Sequence, residues 1–159
     1  MNELKIFSNN ALSAEVFEVL RRGVEPGRIV SPSKAGLSVL AAPEKDPAFE
    51  GADIAFGQPH LENIYESETL RWVHISSAGF TRYDTEAFRR HAAERGLIVT
   101  NSSGVYAEAC AQHALSFLLA HARRLPEALP LRTPNGAPEW NALRSSCRLL
   151  QDQTILILD

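Results

Sequence analysis

Short apolar runs alternate with segments of helical spacing over the first hundred residues, and this alternation constrains the fold more than any other feature. The runs are Leu4-Lys5-Ile6-Phe7, Arg28-Ile29-Val30, Ala52 to Gly57, Trp72-Val73-His74-Ile75 and Leu97-Ile98-Val99-Thr100. They read as apolar throughout rather than as alternating in-and-out strands, which predicts a parallel sheet covered by helices on both faces. Between them, Ser13 is placed to cap a helix carrying Val16, Phe17 and Leu20, with Gly23 as its stop. Leu61, Ile64 and Tyr65 suggest a short helix. Asp84 is placed to cap another, with Ala87, Phe88 and Ala92 on one face and Arg95-Gly96 closing it. Leu37 to Ala42 fits either a short strand or an irregular edge.

The order of these elements resembles a flavodoxin-like domain over residues 1–104. Composition narrows what such a domain meets. A net charge of -3 argues against a nucleic-acid or membrane-surface protein. No apolar run approaches the roughly 20 residues of a membrane span. The start, Met-Asn-Glu-Leu-Lys-Ile, has no secretory core, and Cys110 and Cys147 show no metal or redox spacing. A cytoplasmic location is the expectation.

The central stretch is Trp72 to Asp84, WVHISSAGFTRYD. It reads as a strand, a small-residue turn and a helix start. Ligands of open α/β sheets sit outside the carboxyl ends of the strands. Ser77-Ala78-Gly79 falls at such an end, and backbone N–H groups there attract carboxylates and phosphates. The plain alternative is a tight connection with no ligand. A second small-residue turn, Asn101-Ser102-Ser103-Gly104, follows the next strand.

From Val105 the pattern changes. Residues 105–125 hold no glycine, and no proline, and read as one helix, with Ala107, Ala111, Ala114, Leu118 and Ala122 in a stripe. Apolar nearly all round, it is expected to be a buried linking spine. Pro126, Pro130, Pro134 and Pro138 then predict an arm over 126–153 without helix or central strand, anchored by Trp140 and Leu143 and serving an oligomer contact. Residues 154–159 read as a buried parallel strand, Thr154-Ile155-Leu156-Ile157-Leu158, opening a further domain.

Several motifs in order carry a family likeness: SSAGFTRYD (Ser76 to Asp84), IVTNSSGVYAEACAQHA (Ile98 to Ala114), ARRLP (Ala122 to Pro126) and TILIL (Thr154 to Leu158). Together they resemble the D-isomer-specific 2-hydroxyacid dehydrogenases, the family of phosphoglycerate, glyoxylate/hydroxypyruvate and D-lactate dehydrogenases. The likeness covers about Leu70 onward. It implies a substrate domain, a long joining helix, a dimerising arm and a Rossmann domain for NAD or NADP. The implied reaction is reversible hydride transfer between a small 2-oxo acid and a D-2-hydroxy acid. It further implies that the backbone at Ala78 and Gly79 holds the substrate carboxylate, that Tyr106 faces the substrate, and that Cys110 lies near the nicotinamide. A homodimer or higher oligomer through the 126–153 arm is expected.

Two positions depart from the family pattern: Thr81 stands where Asp is frequent, and Gln112 where Glu is common. The G-x-G-x-x-G fingerprint would begin after Leu158, and the family's catalytic Arg, acid and His further on. No catalytic residue is therefore assigned to this chain, and alone it is expected to be inactive as a dehydrogenase.

The remaining reactive side chains have plainer readings. His113 is expected to be structural, and His60, His74, His91 and His121 show no metal spacing. By itself Cys110, among Ala and Leu, reads as a small buried hydrophobe. The other functional class is a stand-alone flavodoxin-like binding or regulatory module. Ser8 to Ser13 makes a poor flavin phosphate loop, and Gly57 stands where a receiver domain would carry its phospho-acceptor Asp.

Overall fold

The computed structural model describes residues 3–32, 43–134 and 136–158, with the side chain of residue 152 not described. The Leu37 to Ala42 segment lies outside the described residues. The chain divides into two compact units, Met1–Val105 and Tyr106–Asp159.

The first unit is an α/β domain around a five-stranded, all-parallel sheet: β1 (Lys5–Ser8), β2 (Arg28–Val30), β3 (Ile54–Gly57), β4 (Trp72–Ile75) and β5 (Ile98–Asn101), in the order β2-β1-β3-β4-β5. This is the flavodoxin-like order. Its helices are α1 (Ala14–Val24), α2 (Leu61–Glu66) and α3 (Glu86–Arg95). Right-handed crossovers place α1 on one face and α2 and α3 on the other, because the strand order reverses after β2.

Local chemistry sets the boundaries. The Ser13 hydroxyl accepts from Val16 N–H at 3.3 Å and starts α1 as expected. Gly23 does not stop it; α1 runs to Val24 and ends ahead of Pro26, a residue whose ring disfavours the helical conformation just before it. Asp84 does not cap α3. The cap is Thr85, whose hydroxyl accepts from Phe88 N–H at 3.1 Å, because a one-turn helix, Thr81–Tyr83, occupies the chain just ahead. Gly96 ends α3 with φ of 63°, the left-handed conformation glycine adopts without strain.

The core forms on one side of the sheet. In β3 and β4 the residues Ala55, Gly57, Val73 and Ile75 are buried, while Ile54, Phe56, Trp72 and His74 are less so. β3 and β4 therefore alternate in burial, as the two-residue period of a pleated strand dictates, while β1 is buried at Ile6, Phe7 and Ser8 in succession. Phe7 and Phe49 meet at 5.0 Å between ring centroids, and Tyr83 and Phe88 at 5.8 Å. Ile64 and Leu70 join them in one cluster.

The second unit contains α4 (Ala107–Ala122), α5 (Leu125–Ala128) and α6 (Pro138–Ser146). The expected helix is present, but only Ala122 in it is buried; Leu115, Phe117 and Leu119 are exposed. At about 24 Å long, α4 is too long to be covered within its unit by helices of four and nine residues. The arm contains helix after all. Pro138 is the first residue of α6 and Pro126 lies in the first turn of α5, positions where proline forfeits no helical hydrogen bond. Residues 154–158 join no strand of the sheet, and Leu156, Ile157 and Leu158 are more than 80% exposed. Among the described residues, no helix is long and apolar enough to cross a membrane.

Candidate functional site: a backbone cradle at the carboxyl end of β4

The sheet order reverses between β1 and β3, and an α/β sheet opens its crevice at the carboxyl ends of that pair. Here the crevice is closed by one side chain. Asn9, just after β1, receives the N–H of Gln58 on Oδ1 at 2.7 Å and donates from Nδ2 to the Gln58 carbonyl at 2.7 Å. Asn10 adds a bond from Nδ2 to the Phe56 carbonyl at 3.4 Å. Gly57, at φ of 137°, lets Asn9 come this close; a β-carbon there would overlap Asn9 Oδ1.

One strand over, the loop after β4 stays open. Ala78 and Gly79 are exposed. Each carbonyl of the loop is taken. The Ser77 carbonyl accepts from Ser102 N–H at 3.2 Å, the Ala78 carbonyl from Asn101 Nδ2 at 2.8 Å, and the Gly79 carbonyl from the Ser77 hydroxyl at 2.6 Å. A planar trans peptide directs its N–H opposite to its C=O. Fixing three carbonyls therefore fixes the N–H groups of Ala78, Gly79 and Phe80 in the opposite directions. Among the described residues, none of these three N–H groups donates to a backbone carbonyl. Adjacent main-chain donors without acceptors attract an anion.

The loop is braced from both sides. Gln58 Nε2 donates to Ser77 Oγ at 2.9 Å. From β5, Thr100 accepts from Trp72 Nε1 at 2.9 Å and meets His74 Nδ1 at 2.8 Å, while His74 Nε2 meets Ser102 Oγ at 3.0 Å. That chain ties the β5 turn, which holds two of the three carbonyls, to β4. The loop also forms one lip of a cavity of about 390 Å³ whose lining includes Ile75, Phe80, Tyr83, Phe88 and Asn101. Burial pushes the Tyr83 phenol up to about 12, against a smaller opposing effect of Arg82, and its hydroxyl donates to the Pro59 carbonyl at 2.7 Å.

Of the residues singled out in the sequence, Ala78 and Gly79 come together in this cradle. Gly79 needs no special conformation there: its φ lies outside the left-handed region, and an added β-carbon would meet open space. Tyr106 and Cys110 belong to the second unit, where Cys110 N–H donates to the Tyr106 carbonyl at 2.9 Å at the start of α4. Cys110 is exposed, not the small buried hydrophobe its neighbours suggested. His113 is exposed as well and packs edge-on against Phe117 at 4.6 Å.

Sequence reasoning missed Asn9 and Gln58 as parts of the site, and it marked Asn101 and Ser102 only as a second small-residue turn. The available signal was positional. All four stand just past or at the end of a strand in a parallel sheet, where polar residues face the crevice.

In comparison with known proteins, no family model matches the chain, and no curated protein matches it.

The turn after β1, Ser8 to Ser13, has no glycine and is folded shut by Asn9, so it offers no pyrophosphate cradle at α1. Cys110, the nicotinamide candidate the likeness implied, is exposed in the second unit.

Proposed function

We propose that this chain holds the carboxylate of a small 2-oxo or 2-hydroxy acid, as the substrate-binding part of an NAD(P)-dependent D-2-hydroxyacid dehydrogenase. One observation carries the reading: among the described residues, the N–H groups of Ala78, Gly79 and Phe80 donate to no backbone carbonyl, while the carbonyls of the same three peptides are held by Ser102 N–H, Asn101 Nδ2 and the Ser77 hydroxyl. Charge-assisted bonds from such donors are stronger than neutral ones. The motif series from Ser76 to Pro126, and the placement of the cradle at a strand's carboxyl end, support the same acid. The described residues receive the acid-holding role and no step of hydride transfer.

The test is a titration with sodium glycolate followed by amide NMR, with sodium chloride as the control. The Ala78 and Gly79 amides are expected to move downfield and saturate with glycolate alone. Amides that stay in place, or that answer chloride equally, would sink the reading.

A further inference from the structure

We infer that Gln58 is a positioning residue for the carboxylate cradle, acting through the direction of the Ser77 hydroxyl proton. The inference rests on the cradle reading above. A serine hydroxyl has one proton and two lone pairs. Gln58 Nε2 is a donor only, so at 2.9 Å it obliges Ser77 Oγ to accept. The Ser77 proton is then free for the Gly79 carbonyl, 2.6 Å away. That carbonyl belongs to the same peptide as the Phe80 N–H, so the bond turns this N–H away from Ser77.

The direction of this relay starts at β1. Asn9 clasps both the N–H and the C=O of Gln58, which fixes the backbone from which the Gln58 amide reaches across to Ser77. Ser77 is half-buried, so its hydroxyl is partly shielded from competing water. The sense of the hydrogen bonds is what matters. Gln58→Glu keeps the size of the side chain and replaces the donor by an acceptor. The Ser77 proton then goes to the introduced carboxylate, and the Gly79 carbonyl is released.

Two readouts separate this inference from the reading beneath it. In the ligand-free protein, the carbonyl carbon of Gly79 and the amide nitrogen of Phe80 report the Ser77 bond directly. Gln58→Glu and Ser77→Ala are expected to shift both signals alike, while Ser77→Thr, which keeps a hydroxyl, leaves them near the wild type. Unmoved signals in Gln58→Glu would overturn the inference whatever the ligand does. In the glycolate titration, Gln58→Glu is expected to weaken binding by about fivefold or more, the effect of losing one hydrogen bond's worth of order. If wild type binds and the variant binds equally, the positioning role falls while the cradle stands. If wild type does not bind, the cradle falls, and the role with it. Gln58→Ala guards against an effect of the new charge: it should shift the Gly79 and Phe80 signals in the same direction as Gln58→Glu, and an unshifted spectrum overturns the inference.

Discussion

Asn9 occupies the space a side chain on Gly57 would need: a β-carbon on Gly57 would overlap Asn9 Oδ1, and the backbone there has φ of 137°. Gly57→Ala must both strain the backbone and break the clasp on Gln58. It is expected to destabilise the protein by about 2–3 kcal/mol. Gly79→Ala, with open space and an ordinary φ, should stay within about 0.5 kcal/mol. Urea melts of the two variants check the contrast, and equal midpoints would contradict it.

The start of α3 gives a second test. Thr85→Ala removes the hydroxyl that accepts from Phe88 N–H and should cost about 1 kcal/mol. Asp84→Ala loses an exposed ion pair with Arg89, worth about 0.2–0.5 kcal/mol. Thermal melts that rank Asp84→Ala as the more damaging would mean the helix is capped as the bare sequence suggests.

Tyr83 predicts a pH dependence. Its phenol is raised from 10.0 to about 12 by burial. Over that range the folded protein keeps a proton that the unfolded chain has released, so stability is intact below pH 10 and falls as pH rises through the interval. Tyr83→Phe should flatten the fall by about 1 kcal/mol per pH unit, while losing the bond to the Pro59 carbonyl at all pH values. Urea titrations of both proteins across this interval decide it. Parallel slopes would remove Tyr83 as the cause.

The exposed aliphatic tract at Ile155 to Leu158 should drive self-association. Leu156→Lys combined with Leu158→Lys is expected to lower the average mass seen by light scattering at high concentration. An unchanged mass would place any association elsewhere, for instance on α4.

The strands and their order were legible because β3, β4 and β5 are short apolar runs bounded by turn residues, and parallel strands need helical crossovers. The open loop at Ala78 and Gly79 was legible because small residues follow an apolar run at a strand's end. What sets the direction of their N–H groups was not. Gln58 lies 19 residues from Ser77, and Asn101 lies 23 from Ala78, so their pairing exists only once the sheet has formed. The exposure of Cys110 and of α4 was equally hidden, because helical periodicity says which residues share a face and not whether anything covers it.

The clasp of Asn9 on Gln58 also has a consequence for synthesis. β1 lies between β2 and β3 in the sheet, although it leaves the ribosome before both. It can pair with β2 early, but one of its edges must wait until residues 54–57 emerge. Asn9 therefore spends translation beside an unfilled slot, and the Ser77 loop acquires its final shape only after residues 101 and 102 have been added. Vectorial translation thus completes the loop after β4 last, after the hydrophobic side of the sheet has had its first chance to collapse.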